Sequence, residues 1–307
     1  MRNTLVRFFA YCVQACFLQN TASILPHLSL PRCMATLTLL TVQVYGTACY
    51  AGQQSSSLEQ SICGIKEPFV FWLWSSAAGE ASAARLAQVA NVEDVAITSS
   101  DGRILRGYKL KASHARAGKE LPRGYLLVVQ GNAMLADQII TYFDQFARLG
   151  YDVYIFDYRG YGRSEGKRRL KAILDDYRQI IQQLGTQPYH RQAFYGMSFG
   201  GVVLLDALRH QTGYMTVVID STPSRLSDYG CPATHDPVNN LPRDAGNLLV
   251  IAGTRDQVVK PETSRELLEL AEDRGATVLR NPTWGHPFMD NHTQQRLEAV
   301  RRFLLHE

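Results

Sequence analysis

The chain has 307 residues and six cysteines, yet it lacks any Cys-x-x-Cys pair. That absence removes the commonest zinc-finger and thioredoxin-type sites. It also lacks internal repeats and low-complexity tracts, which excludes solenoids and propellers. An excess of one charge is missing too: the net charge is only +4 and is scattered along the chain. So weak an imbalance leaves no electrostatic footprint for nucleic acid. One basic run, Gly166 to Lys171, reads as the solvated start of a helix. Its aromatic neighbours do not interleave as a single-strand platform requires. Finally, no apolar run reaches the roughly twenty residues that span a bilayer comfortably.

Two shorter apolar runs stand near the start. Phe8 to Leu18 follows Arg2 and Arg7, and Met34 to Tyr45 follows Arg32. Each has the length and cationic flank of a secretory signal. Gly46-Thr47-Ala48-Cys49 resembles a bacterial lipoprotein cleavage site, with Gly46 where Leu is usual. Simple cleavage nearby, a start at Met34, and a pair of ordinary buried helices are the alternatives. The expectation is a signal or membrane-anchoring segment and linker over 1–62, with export or tethering in a bacterial cell envelope. Five of the cysteines lie in this first quarter; a Cys63–Cys231 disulfide suits an oxidising compartment, although spacing cannot decide it.

An aromatic and helical lead-in follows over 63–91. Phe69 to Trp74 is a dense aromatic run that suits packing onto the next domain or a membrane interface, and an Ala-rich helix is predicted over Ala77 to Val89. From Val92 the pattern changes. Val92 to Thr98 and Ile104 to Lys111 read as a hairpin with an Asp-Gly turn. Continuous apolar runs at Gly124 to Gln130 and Tyr151 to Tyr158 read as strands buried on both faces. A helix is predicted between them from Asp137 to Leu149, on the stripe Ile139, Ile140, Phe143, Phe146 and Ala147. Strands and helices keep alternating to Leu305, which implies an α/β domain over 92–307 with a mostly parallel sheet covered on both faces.

Between Asp157 and Gly166 two nucleotide-binding decoys appear. Gly160-x-Gly162 lacks its third glycine at the right place, and Gly166-Lys167 is followed by Arg168 instead of Ser or Thr. The glycines are better read as a turn at the rim of the sheet.

The most informative stretch is Gly196-Met197-Ser198-Phe199-Gly200, set between an apolar strand and an apolar helix. A serine on so sharp a strand-to-helix turn is held with its hydroxyl exposed. Small residues two places either side are required by the close approach of backbone. Ser198, Asp256 and His286 occur in that chain order, each at the carboxyl end of a strand, where open α/β sheets place their chemistry.

Taken together, these pieces resemble the α/β-hydrolase superfamily from about Val92 to Leu305. The match is carried by Gln130-Gly131-Asn132-Ala133, by Asp157 to Gly166, by the Ser198 pentapeptide, by Gly253 to Val259 and by Gly285-His286. It is nearest to small, often membrane-associated serine hydrolases related to depalmitoylases and to serine-aminopeptidase-like hydrolases. The resemblance implies Ser198 as nucleophile, His286 as base and Asp256 as the acid that orients it, with Asp220 in reserve. It implies oxyanion donors at the backbone N–H of Phe199 and of Asn132 or Ala133. Gln130 stands where the family commonly has His, and 221–247 is shorter than the family's usual cap, so an open pocket is expected. The aromatic run could line or shield that pocket.

The substrate class expected is a small-molecule or lipid-like ester, cut through an acyl-enzyme, with no metal, cofactor or nucleic acid. His292 with Asp290 lacks a third metal ligand in the sequence. A peptidase on the same fold, and a binding protein with little turnover, are the rival readings.

Overall fold

A computed structural model describes residues 57–87, 89–113, 121–211 and 216–305. The expectations for the signal, the lipoprotein-like site and the anchor lie outside these residues. The described residues form one compact unit.

The sheet has eight strands: β1 (Val92–Thr98), β2 (Ile104–Leu110), β3 (Gly124–Val129), β4 (Tyr151–Phe156), β5 (Arg191–Met197), β6 (Thr216–Asp220), β7 (Leu248–Gly253) and β8 (Thr277–Asn281). Their order across the sheet is β1-β2-β4-β3-β5-β6-β7-β8. The pairs β1–β2 and β2–β4 are antiparallel, and every other pair is parallel. The central strands β3, β4, β6 and β7 are buried along their whole length, as their unbroken apolar sequences require. This is the α/β-hydrolase fold.

The helices are α1 (Glu67–Ala78), α2 (Ala136–Ile139), α3 (Asp144–Arg148), α4 (Leu170–Gly185), α5 (Phe199–Leu208), α6 (Pro237–Asn240), α7 (Pro261–Asp273) and α8 (Thr293–Leu305). Residues of α1, α4, α5 and α7 contribute to one apolar core, and residues of α2, α3 and α8 to another on the opposite face. The chain leaves β4 on one side of β3 and re-enters as β5 on the other. Such a reversal opens a crevice at the carboxyl ends of the strands.

Two predicted helices differ. The stretch 137–149 is not one helix but α2, a 3-10 turn over Ile140–Phe143, and α3. Its apolar stripe is nevertheless buried, so the period was right and the continuity was not. The Ala77–Val89 helix is also absent, because the helix is the aromatic run itself. Helix α1 opens with Pro68 in its first turn and stops at Gly79, whose φ of 77° no helix accepts. Of the expected alanine helix, Ala77 and Ala78 close α1, and among the described residues a 3-10 turn, Ala83–Arg85, follows.

The lead-in is fastened to the sheet domain. The buried carboxylate of Glu67 accepts from the N–H groups of Ile62, Cys63 and Leu170 at 2.7–2.8 Å. Cys63 and Cys231 are disulfide-bonded, joining the segment before α1 to the loop beyond β6. The stretch 221–247 holds two 3-10 turns and the single-turn α6, which is the reduced cap that the resemblance implied.

Candidate active site

Ser198 lies between β5 and α5 with φ 54° and ψ −120°. A non-glycine residue rarely adopts that conformation, and where it does the surroundings must enforce it. Here the neighbours do so. A Cβ on Gly196 would lie 2.7 Å from the Gly200 carbonyl oxygen, and one on Gly200 would lie 2.0 Å from that of Val129. No larger residue fits at either place, so the turn can press against the end of β3. Ser198 N–H donates to the Asp220 carbonyl at 2.8 Å, and Thr222 Oγ1 donates to the Ser198 carbonyl at 3.1 Å. The elbow is therefore held from both sides by the β6 exit.

Asp256 follows β7 and is 1 % exposed. Its Oδ1 accepts from Val258 N and Val259 N at 2.8 and 2.9 Å. Its Oδ2 faces His286 Nδ1 at 2.8 Å. An ionised carboxylate can only accept, so the proton of that contact sits on Nδ1, and in a neutral imidazole Nε2 is then the acceptor. His286 lies beyond β8, on a loop docked against the exit of β7: Arg255 N donates to the Trp284 carbonyl at 3.0 Å. Among the contacts of the described residues, none joins the Ser198 hydroxyl to the His286 ring; His286 is held through Nδ1 and Ser198 through its backbone.

The loop 130–135 forms the third wall. A Cβ on Gly131 would stand 3.8 Å from the Ser198 Cβ, so the backbone leading to Asn132 passes beside the serine. Gln130 replaces the expected His without leaving that loop unsupported: its amide donates to the Phe156 carbonyl at 2.9 Å, and its own carbonyl accepts from the buried Tyr158 hydroxyl. Asp157 Oδ1 holds Ala136 N at 2.8 Å. Burial pushes the Asp157 carboxyl up to about 6.

Phe199, whose N–H is the other expected oxyanion donor, opens α5. Its ring meets those of Phe71 and Trp74 at centroid distances of 5.6 and 5.9 Å, and that of Tyr158 at 5.4 Å. The aromatic lead-in thus packs beside the serine. A cleft of about 740 Å³ lies elsewhere, against Leu208, Val217 and Leu248 near the amino ends of β6 and β7, and serves a different part of the surface.

Asp220, the reserve acid, does not reach His286 as a partner. It accepts from Tyr195 Oη at 2.8 Å and from Arg296 at 2.6 Å. Asp290 caps its own loop, accepting from the N–H groups of Gly285 and His292. Arg296 was not anticipated. The signal was available, since α8 buries Leu297, Val300 and Leu304 and Arg296 falls on the same stripe. A second Asp–His pair, Asp206 with His235 at 2.7 Å, was also missed, and no motif marks it.

Residues 120–229 match the family model of the serine aminopeptidases, S33. The uncharacterized protein YfhR of Escherichia coli strain K12 is 25 % identical over 233 residues, covering 70 % of this chain and 81 % of that one. The mouse alpha/beta hydrolase domain-containing protein 17C is 26 % identical, covering 59 % of this chain and 60 % of its own length. Among solved structures, the esterase Pf2001 of Pyrococcus furiosus superposes with a TM-score of 0.56 over 75 % of this chain and 96 % of that one. Its 20 % identity bears on the fold alone.

Proposed function

We propose that the chain is a serine hydrolase of the α/β-hydrolase superfamily, cleaving carboxylic esters through an acyl-Ser198 intermediate; the family-model match over 120–229, the similarity to an alpha/beta hydrolase domain-containing protein and the shared fold support this reading. The observation that carries the reading is the strained Ser198 elbow at the same sheet rim as a hydrogen-bonded Asp256–His286 pair. In the first step His286 Nε2 takes the Ser198 proton as Oγ bonds to the carbonyl carbon. The oxygen that becomes negative is received by the N–H groups of Phe199 and Asn132. His286 then returns the proton to the leaving alcohol. Water repeats the sequence and frees the acid. Asp256 keeps the imidazole in the tautomer required and stabilises its charged form. Each oxyanion donor accounts for about a hundred- to a thousandfold in rate in enzymes of this type.

The test is covalent labelling. A fluorophosphonate should modify Ser198 in the wild type and fail with Ser198→Ala; labelling that survives this substitution would refute the assignment.

The serine-aminopeptidase match favours a second reading, hydrolysis of aminoacyl amides by the same residues. A panel of p-nitrophenyl esters set against aminoacyl amides separates the two. We further assign the protein to an oxidising compartment, tethered or exported by its apolar start. The Cys63–Cys231 bond supports this, since such bonds are rare in reducing compartments. Finding the wild-type protein in the cytosolic fraction with free thiols at both positions would overturn it.

A further inference from the structure

The surroundings of Asp220 join the nucleophile to the base by a route that bypasses Asp256. Its backbone carbonyl accepts from Ser198 N at 2.8 Å. Its Oδ1 accepts from Arg296 Nη1 at 2.6 Å, and Arg296 Nη2 donates to the Gly285 carbonyl at 2.7 Å. Gly285 is the residue immediately before His286. The Tyr195 hydroxyl, from β5 itself, holds the other carboxylate oxygen at 2.8 Å. The guanidinium also lies over the Trp284 ring, 4.7 Å from its centroid. The Arg296 and Asp220 side chains are 1 % and 0 % exposed.

We infer that Arg296 and Asp220 are positioning residues that set the His286 loop at its working distance from Ser198. This rests on the serine-hydrolase reading above. The division of labour is geometric. Asp256 bonds the ring and fixes its rotation and tautomer, whereas the Arg296–Asp220 strut bonds the backbone and fixes where the ring stands. Stability alone is a poor reason for the pair, because two fully desolvated charges contribute little that an apolar pair could not. What an apolar pair could not do is hold two acceptors at a set angle. The planar fork of arginine does so, with one terminal nitrogen for the carboxylate and the other for the Gly285 carbonyl. Lysine keeps the charge but has a single nitrogen for both.

Arg296→Lys and Asp220→Asn are the variants, with Asp206→Asn as a control that breaks a different buried ion pair. Two readouts are needed: the rate of Ser198 labelling at limiting fluorophosphonate, and the titration of the His286 imidazole by nuclear magnetic resonance, assigned with His286→Gln. Displacing a reacting group by about 1 Å can cost roughly a hundredfold. Arg296→Lys should therefore label roughly 10- to 100-fold more slowly and shift the His286 titration, at melting temperatures where Asp206→Asn still labels at the wild-type rate. Wild-type labelling together with an unchanged His286 titration in folded Arg296→Lys would overturn the inference. Should Asp220→Asn fail to fold, Arg296→Lys still decides it. If the wild type itself is not labelled, the hydrolase reading falls, and the His286 titration alone then judges the strut.

Discussion

Among the described residues two Asp–His pairs have nearly the same geometry. Asp256 meets His286 Nδ1 at 2.8 Å across 30 residues of sequence, and Asp206 meets His235 Nδ1 at 2.7 Å across 29. Both carboxylates are buried. Their surroundings differ. Asp206, on α5, also pairs with Arg178 and Arg209, so its charge is spent on holding α4, α5 and the reduced cap together. Among the described residues Asp256 has no arginine or lysine partner; backbone N–H groups satisfy one oxygen and the imidazole takes the other. A pair surrounded by cations reads as a fastener, whereas under the proposed function the pair supported by backbone at the sheet rim is the one that orients a general base. Spacing alone could not have told them apart.

The sharpest way to break this comparison is to neutralise each acid in turn. Asp256→Asn should lower kcat by about a thousand- to ten-thousandfold, as loss of the orienting carboxylate does in triads, with little change in melting temperature. Asp206→Asn should do the reverse. Its activity should stay within severalfold of wild type, while stability falls by roughly 2 kcal/mol through loss of charged hydrogen bonds. Equal losses of activity in the two variants would erase the distinction. Steady-state kinetics beside thermal melts supplies both numbers.

The reduced cap has a second fastener, the Cys63–Cys231 bond, which ties it to α1. Cys63→Ser should destabilise by roughly 2–5 kcal/mol, the usual range for a native disulfide. Because α1 carries Phe71 and Trp74 against Phe199, the same variant should also alter the preference for ester chain length. An unchanged chain-length profile would remove α1 from the substrate pocket.

The smallest effects are those of pH, and they separate two acids by sign. Burial tends to raise the Asp206 carboxyl, but the hydrogen bond from His235 and the charges of Arg178 and Arg209 outweigh it and leave it below its ordinary value. A depressed carboxyl contributes stability at neutral pH that is lost as pH falls below about 4. Burial instead lifts Asp157 to about 6. A raised carboxyl contributes stability in acid that is lost as pH rises from about 4 to about 6. Asp157→Asn should lessen the upper slope, to which Asp176, lifted by burial to about the same value, also contributes, and leave the lower one, which chemical denaturation at a series of pH values would measure. An unaltered slope between pH 4 and 6 would exclude Asp157 as its source.

Much of this was legible in the chain. Gly196 and Gly200 announced the elbow because only glycine survives carbonyl oxygens at the distances found there. The continuous apolar runs of β3 and β4 announced buried strands. The aromatic run was harder, because a mixture of Phe, Trp and Leu suits a strand, a helix or an interface equally until something covers it. Its helix was settled by what it packs on, namely Phe199, and by the Glu67 carboxylate pinning its start. Arg296 was hidden for the opposite reason: a charge on an apolar stripe reads as an exception until its acceptors are seen.

The sequence by itself determined the order of the strands along the chain, the turn at Ser198 and the three candidate groups beyond strand ends, because all of these follow from local periodicity and backbone sterics. Only the tertiary structure decided which aspartate holds which histidine, which cysteines join, and that Arg296 and Asp220 bind the two halves of the site. Those facts depend on groups far apart along the chain meeting in a water-free interior, where a charge must find its partner across space.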